Sequence, residues 1–333
     1  MHTGNKLFGL LLIATLTTCF LAWPSPAAAQ SGGSDRTAPQ GLSFVFDKDS
    51  YGTPVIQAGT GSSMAQKLSR LSVRLYGGLS YVMAGDINTG SDGYFELIDL
   101  YTASGSGTST GGYSPLHIGL NTGADIIFQL NRNIGVGIGA GYMRSSRRSL
   151  MTFTETDEVT LTAEPTISAI PIRLGVFLTF PLAGKINLTA DVGGAYYAGL
   201  KFDAWQRVTF AAGDWYQNSL SASKSGNLGF QGSLGFEYMV SPKMGFFVEA
   251  VGRYARFGNF ASATGTYETS DGTNDATLGK IYLVNLSFTG VGEFDWITLS
   301  ETPPVVGGEI TAFREPKFDL SGFTLQAGIR IRF

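Results

Sequence analysis

Apolar residues alternate strictly with other residues along much of this chain. From Ile134 to Tyr142 they take every second position, and glycines stand between them. This period of two is the pattern of a β-strand whose two faces meet different surroundings. Seven further segments repeat it, so the sequence predicts eight strands, over residues 71–83, 116–130, 134–142, 170–180, 186–200, 228–238, 244–254 and 324–333.

Gly135, Gly137 and Ala140 also match the spacing of a dinucleotide-binding turn. Such a turn needs a helix directly after it, because the free amides at the start of the helix bind the phosphate. Residues 143–148 have no apolar stripe at helical spacing, and no acidic residue follows about 20 positions on. The segment is therefore interpreted as a strand and not as a nucleotide site.

The connections between the predicted strands alternate in length. Short turns lie at 131–133, 181–185 and 241–243, whereas long links lie near 84–114, 144–168, 201–226 and 256–317. Membrane barrels separate short periplasmic turns from long extracellular loops in this way. The pattern predicts an all-β, antiparallel, up-and-down transmembrane barrel over residues 68–333, with the four long links outside the cell.

The start of the chain has the features of a secretory signal. Lys6 precedes a largely apolar run, and the small residues Ala27 to Ala29 suit cleavage, so residues 1–29 are predicted to be a signal peptide and 30–67 a flexible periplasmic segment. A membrane-anchor helix or a lipoprotein signal at Cys19 are the alternatives. Cys19 is the only cysteine, which excludes disulfides and cysteine metal sites from the mature chain.

Composition agrees with an exported barrel. The chain has 45 glycines, 12% aromatic residues and only 15% charged residues. Its net charge of −3 gives no reason to expect a nucleic-acid partner. Aromatic residues of the apolar parity fall into two sets at opposite strand ends, as interfacial belts do: Tyr81, Tyr142, Tyr196 and Tyr254 at the loop ends, and Phe128, Phe180, Tyr238, Phe246 and Phe333 at the turn ends.

The chain ends in an alternating segment, Leu325 to Phe333, with a terminal aromatic residue. This ending resembles the small bacterial outer-membrane barrels of the OmpA-like and OmpW-like type. The resemblance implies eight strands, a location in the bacterial outer membrane, and a role for Phe333 as the signal that the barrel assembly machinery reads. No peptidoglycan-binding domain follows Phe333, which puts a cell-wall tether in doubt.

A count of ten strands is the alternative. Residues 280–288 and 294–300 form a further alternating pair around a glycine-containing turn. The second member is too short to cross a membrane, since a crossing strand takes about 9–11 residues. We therefore expect this pair to be a hairpin that stands out into solvent.

An eight-stranded barrel is just wide enough for side chains to fill it. Four glycines, Gly135, Gly137, Gly139 and Gly141, are predicted to line the lumen and to leave room for bulky inward residues such as Tyr76, Phe177, Tyr197 and Phe247. Buried charges should be paired, so an ion-pair network is predicted among the inward charges, which is either a structural filling or a gate. These charges are Arg74, Asp125, Arg173, Asp191, Glu237, Glu249, Arg253, Arg330 and Arg332.

The sequence does not favour an enzyme. The known enzymes among outer-membrane barrels use a catalytic histidine, and His117 is the only histidine after the predicted signal peptide. Pro115 and Gly119 stand where a partner acid or serine would be sought. We expect His117 to be a hydrogen-bonded residue facing the lumen near its outer rim, and we predict no catalytic residue, cofactor or metal.

Two functions remain. In the first, the barrel is an anchor and the outer loops bind a surface partner or support the envelope; loop 256–317 is acidic, and Trp205, Trp215 and Tyr216 add aromatic surface. In the second, the barrel is a narrow channel for small or apolar solutes. The partners expected are outer-membrane lipid, the assembly machinery and an extracellular ligand.

Overall fold

The elements are those of a computed structural model that describes residues 70–260 and 262–333. The predicted signal peptide and the segment 30–67 lie outside these residues. In chain order the elements are β1 (Leu71–Gly85), α1 (Asp86–Ala103), β2 (Thr108–Gly112), β3 (Ile118–Gln129), β4 (Ile134–Ser146), β5 (Ser149–Thr154), β6 (Glu158–Ala183), β7 (Ile186–Phe210), β8 (Trp215–Ser241), β9 (Met244–Tyr254), β10 (Arg256–Phe257), β11 (Ser262–Thr269), β12 (Asn274–Phe288), β13 (Gly292–Ser300), β14 (Ile310–Arg314) and β15 (Phe318–Arg332).

Eight of the strands form a closed antiparallel ring. Its order is β1, β3, β4, β6, β7, β8, β9 and β15, and β15 pairs back with β1, where Leu75 lies opposite Ile329. The eight-stranded barrel predicted from the sequence is confirmed. The pair β12 and β13 forms a hairpin, with Val284 opposite Trp296, but it is not part of the ring, so the ten-strand alternative is wrong.

The tight turns at one end of the ring are made by local chemistry. After β3, the Asn131 side-chain oxygen accepts hydrogen bonds from the amides of Asn133 and Ile134, both at 2.8 Å. This is an Asx-type turn, which reverses the chain within a few residues. Between β6 and β7, Gly184 has a φ of 55°, a left-handed conformation that favours glycine. These residues explain why β3–β4 and β6–β7 are joined so closely.

The outer surface of the ring is apolar. Large hydrophobic side chains such as Leu79, Ile118, Leu174 and Leu234 are exposed on the strand faces that point away from the lumen. The aromatic residues predicted to form two belts are also exposed on this surface, apart from half-exposed Tyr81. An exposed apolar band between aromatic belts is the surface that lipid covers in membrane barrels. Among the described residues, no helix is both long and apolar enough to cross a bilayer.

Three strands continue far beyond the apolar band. β6, β7 and β8 have 26, 25 and 27 residues, more than twice the length that crosses a membrane. The link expected near 201–226 is therefore strand on both sides, and only residues 211–214 form its turn. At Gly199, where φ is 56°, the alternation of β7 shifts by one residue. Apolar side chains such as Phe202 then point inward, and polar side chains such as Lys201 point outward.

The extended strands enclose an outer apolar core. α1, which lies in the link expected near 84–114, packs its buried Tyr94, Phe95 and Ile98 against the hairpin residues Val284 and Trp296. The hairpin was expected to stand out into solvent, and this expectation is wrong. Its residues follow the alternation of a half-buried strand, and the face that would be exposed in isolation is covered by the helix.

Close approach between α1 and β13 depends on glycine. A Cβ at Gly93 would lie 1.7 Å from the carbonyl oxygen of Asp295. We expect Gly93→Val to displace the helix at a cost of about 2 kcal/mol, which corresponds to about 30-fold in the equilibrium for opening the outer core. Limited proteolysis of the folded protein would measure this as faster cleavage within α1.

The control for this variant is Glu96→Ala on the exposed face of the same helix, which should be cleaved at the wild-type rate. The barrel should keep its heat-modifiable mobility on electrophoresis in both variants. Equal cleavage of Gly93→Val and the wild type would contradict the packing described here.

Candidate functional site

The lumen of the barrel contains a layer of charged side chains. Arg74 projects from β1 into its centre and forms an ion pair with Glu249 of β9. Its guanidinium also lies 3.9 Å from Asp125 and 3.7 Å from Asp191. Gln326 donates a 2.6 Å hydrogen bond to the same Glu249 oxygen. Since all these side chains are buried, each charge depends on its neighbours and not on bulk water for stabilisation.

A second arginine extends the layer across the barrel. Arg173 of β6 makes a two-pronged contact with Asp125, with 2.6 Å between its Nε and Asp125 Oδ1, and lies 3.8 Å from Asp191. Such paired donors match the geometry of a carboxylate. Ser233 donates to Asp191 from β8. The network thus joins strands on opposite sides of the ring.

Aromatic rings surround these two arginines. The Arg74 guanidinium carbon lies 4.1 Å from the ring centre of Phe247, and that of Arg173 lies 5.3 Å from the ring centre of Tyr76. Phe177 lies between 5.4 and 5.6 Å from both guanidinium carbons. Stacked rings attract the cations through their π-faces. They also fill the space beside the ion pairs.

The glycines of β4 make room for this layer. Gly135, Gly137 and Gly139 are buried toward the lumen, and Gly141 is half-buried there. A Cβ at Gly139 would lie 2.0 Å from the Asp125 carboxylate, and one at Gly137 would lie 2.8 Å from the ring of Phe177. The glycines whose spacing matched a phosphate-binding turn therefore form a part of the lumen wall without side chains, against which Asp125 and Phe177 lie.

A second cluster of charges, around Glu237, lies toward the turn end of the barrel. Glu237 accepts a 2.5 Å hydrogen bond from Arg332 and lies 3.9 Å from Arg330. Arg330 also donates to Ser72 at 3.1 Å. A small cavity lies between the polar residues Arg74, Arg330, Glu237 and Thr189 and apolar residues that include Phe177 and Phe247, and it has room for about one water molecule and not for an organic solute. One Glu237 oxygen and the Thr189 hydroxyl face it without a hydrogen-bond partner among the described residues.

Arg253 does not join the network. The prediction paired it with carboxylates, but its guanidinium donates to the Leu320 carbonyl at 2.6 Å and to the Thr324 hydroxyl at 2.9 Å. No carboxylate among residues 70–260 and 262–333 forms an ion pair with it. Arg253 points inward, as its parity predicts, but it lies further along the barrel, beside the backbone oxygens of Leu320 and Tyr81, where the pairing of β1 with β15 is irregular. The remaining Arg74, Arg173, Arg330 and Arg332 face four carboxylates.

An apolar cluster fills the barrel beyond Arg253. Tyr197, Leu200, Phe202, Phe257 and Phe318 are almost fully buried there. Their rings pack directly, with 4.7 Å between the centres of Phe202 and Phe318 and 5.6 Å between those of Tyr197 and Phe257. Phe202 and Phe257 belong to links that the sequence analysis treated as loops, whereas Tyr197 and Leu200 lie in a predicted strand. For Phe202, the inward parity was a signal that could have identified it, because Phe202, Ala204 and Val208 share one parity, whereas Asp203, Trp205 and Arg207 take the other.

His117 lies on the outer face of the barrel, which corrects the expected lumenal position. Its ring stacks on Tyr81 with 4.8 Å between centres, and Tyr81 stacks in turn on exposed Phe323. The Nδ1 atom lies 2.9 Å from the Val82 carbonyl oxygen. β3 begins only at Ile118, so strand parity does not reach His117. The histidine is held by stacking and by a backbone hydrogen bond, within the aromatic belt.

The outer end of the molecule carries an acidic face. Asp92, Glu96 and Asp99 are exposed along α1, beside Asp295 of the hairpin. Partial burial and the neighbouring carboxylates, first Asp92 and then Asp295, raise the pKa of Glu96. The acidic link 256–317 thus contributes to one face together with the helix. Of the three predicted aromatic residues, Tyr216 is buried in the outer core, whereas Trp205 and Trp215 are half-exposed on the outer sheet surface.

No protein-family model and no curated protein sequence matches the chain. Among solved structures, the chain is similar to the outer membrane protein OprG from Pseudomonas aeruginosa, with 11% identity, a TM-score of 0.33, and coverage of 80% of this chain and 96% of that one. It is also similar to the outer membrane protease OmpT from Escherichia coli, with 9% identity, a TM-score of 0.35, and coverage of 79% and 95%.

The buried pair of Asp125 and Arg173 is expected to stabilise the barrel strongly. Asp125→Asn removes one charge and leaves Arg173 without its main partner, which should reduce the free energy of unfolding by about 3–5 kcal/mol. Urea unfolding of the protein in phospholipid vesicles, followed by tryptophan fluorescence, measures this loss.

Two further variants test whether the loss of stability in Asp125→Asn comes from the buried unpaired charge. Asp157→Asn lies in the exposed turn between β5 and β6 and should leave stability within about 0.5 kcal/mol of the wild type. Combining Asp125→Asn with Arg173→Met should recover part of the loss, because no unpaired charge remains. A single variant as stable as the wild type would show that the pair is not buried as described.

Proposed function

We propose that the protein is a non-enzymatic β-barrel of a bacterial outer membrane, whose barrel is a closed anchor that holds a folded outer region at the cell surface. The supporting observation is the filled lumen. A layer of ion pairs around Arg74 is followed along the barrel by the apolar cluster around Phe202 and Phe318. A solute would have to pass both.

Opening such a lumen is energetically costly. The ion pairs are buried, and separating one of them without a new partner exposes a charge to a low-dielectric interior. The aromatic side chains beyond them pack in direct contact, so a path would also require them to leave an apolar core. Both features favour a rigid barrel over a conducting one.

The working part of an anchored barrel is the region that it displays. Here that region is ordered: α1, the hairpin and the extended β5–β8 share one apolar core. Asp86, the first residue of α1, directly follows barrel strand β1. It forms a two-pronged ion pair with Arg314 of β14 and accepts a 2.6 Å hydrogen bond from the amide of Lys317, which directly precedes barrel strand β15. A rigid displayed surface suits recognition of a surface partner.

A channel for small or apolar solutes is the second candidate. The small cavity beside Glu237 favours it, since it reduces the filling of the inner half of the lumen. The glycines of β4 do not add open space, because Asp125 and Phe177 lie against them. The apolar cluster at the outer half opposes it. The two functions therefore differ in one property, the ability of the folded barrel to conduct.

Single-channel recording of the folded protein in a planar bilayer tests this property. We expect no discrete conductance steps from protein whose insertion is verified by heat-modifiable mobility and by protection of the barrel from protease. Reproducible steps would overturn the anchor function and favour the channel.

A variant identifies the route if steps occur. Gly139→Leu adds a bulky side chain next to Asp125 in the lumen, so conductance through the lumen should fall in this variant. Gly252→Ala is a matched control, because a Cβ there meets no atom within 4 Å. Unchanged conductance in Gly139→Leu would exclude a lumenal route.

A further inference from the structure

A basic strip lies on the outer sheet surface just beyond the tyrosine belt. We define it by Arg144, Arg148, Lys201, Trp205 and Arg207. Arg144 follows Tyr142 by two positions and therefore lies on the same face, about 7 Å further along the strand. Arg144 of β4 pairs with Ser168 of β6, and Ser168 pairs with Lys201 of β7. Arg144 and Lys201 therefore lie in the same row across the sheet. The strip thus begins where the lipid-facing band ends.

The next rows along the strands complete the strip. Glu164 lies opposite Trp205, and Thr162 lies opposite Arg207. The Arg148 guanidinium reaches within 5.7 Å of the Trp205 ring, and the Arg207 guanidinium lies 4.3 Å from the Trp215 ring. On the far side, Trp205 faces Ser219, and Asp203 faces Ser221. Two half-exposed indoles therefore lie among guanidinium groups and hydroxyls.

The strip concentrates positive charge on a chain whose net charge is −3. Arg144 and Arg148 are exposed, and neither forms an ion pair with any described carboxylate. Lys201 is partly neutralised by Asp203 at 2.9 Å, and Glu164 accepts a hydrogen bond from Ser146 at 3.1 Å. With neighbouring Arg147, the face has five cations, Arg144, Arg147, Arg148, Lys201 and Arg207, against these two carboxylates. It attracts anions, whereas the surface of α1 repels them.

The position and the side chains together indicate the partner. Cations directly outside the apolar band meet the headgroups of the surrounding lipid. Guanidinium groups bind phosphate with paired hydrogen bonds. Flat indole rings with hydroxyls around them suit a sugar, whose C–H-bearing face packs on the ring while its hydroxyls form hydrogen bonds. A bare phospholipid headgroup would use the arginines but has no ring to place on Trp205.

We propose that the basic strip binds the phosphorylated saccharide headgroup of a glycolipid in the leaflet around the outer end of the barrel. This inference rests on the proposed function, since it requires the apolar band to face lipid. Arg144 and Arg148 bind the phosphate groups, and Trp205 packs against a sugar ring. The acyl chains of the same lipid lie against the apolar band below Tyr142.

The experiment measures lipid binding by the folded full chain in detergent micelles, by native mass spectrometry. The probes are lipopolysaccharide without its outer polysaccharide, the same lipid after removal of its phosphates, and phosphatidylglycerol. We expect the intact glycolipid to bind at least tenfold more tightly than either of the other two. The double variant Arg144→Gln/Arg148→Gln should lose about tenfold in this affinity.

Two variants separate specific binding from general charge. Arg132→Gln/Lys243→Gln removes the same charge from the turns at the opposite end of the barrel and should bind as the wild type does. Trp205→Ala should weaken glycolipid binding several-fold and leave phosphatidylglycerol binding unchanged. Phosphatidylglycerol binding as tight as glycolipid binding, equal loss in the control, or no loss in the double variant would each overturn the proposal.

Membrane insertion of the same preparations is measured in parallel. Protein that does not insert into vesicles would overturn the proposed function as well. Protein that inserts without conducting, but shows no preference for the glycolipid, would overturn this inference alone.

Discussion

The whole structure depends on pairing every backbone amide and carbonyl that lies at membrane depth. Lipid offers no hydrogen-bond partner, so a sheet in a bilayer must close on itself. Here β1 and β15, which are far apart in the chain, pair along most of their length and complete the ring. The last amide, of Phe333, donates to the Leu71 carbonyl at 2.9 Å. The other features depend on this closed ring: the apolar band on its outside, the side chains that fill its lumen and the strands that continue beyond the band.

Closure with eight strands leaves a narrow interior, and the chain fills it with charge. A lumen of this width could be filled by apolar side chains alone, yet four arginines and four carboxylates lie there in two groups of ion pairs, one around Arg74 and Arg173 and one around Glu237. Such pairs are costly to bury, but they bind strands on opposite sides of the ring to one another. Bare glycines on β4 receive Asp125 and Phe177, so large groups on one wall are matched by empty positions on the other. This complementarity favours a rigid anchor.

The same alternating pattern serves two environments along a single strand. In the lower part of β7, apolar residues face lipid and polar residues face the lumen. Beyond the bend at Gly199 the two faces exchange roles, and apolar residues enclose a core while polar residues meet solvent. The exchange produces an ordered region beyond the apolar band, with one basic surface directly next to that band and one acidic surface on α1. Under the proposed anchor function, recognition would therefore use folded sheet and helix surfaces in place of flexible loops.

The sequence by itself determined the barrel, its eight strands, the inward charges and the glycine wall, because a period of two is a local property that any strand retains. It did not determine which charges meet: Arg253 has the parity of the network but lies beside backbone oxygens. Nor did it determine the position of His117, which precedes the first residue of β3 and stacks on Tyr81 in the aromatic belt. The hairpin at 280–300 was identifiable as a strand pair, whereas its contact with α1 depends on Gly93 lying against Asp295. These outcomes were decided only by tertiary structure, because contacts between distant segments depend on the closure of the ring and on the shapes that it brings together.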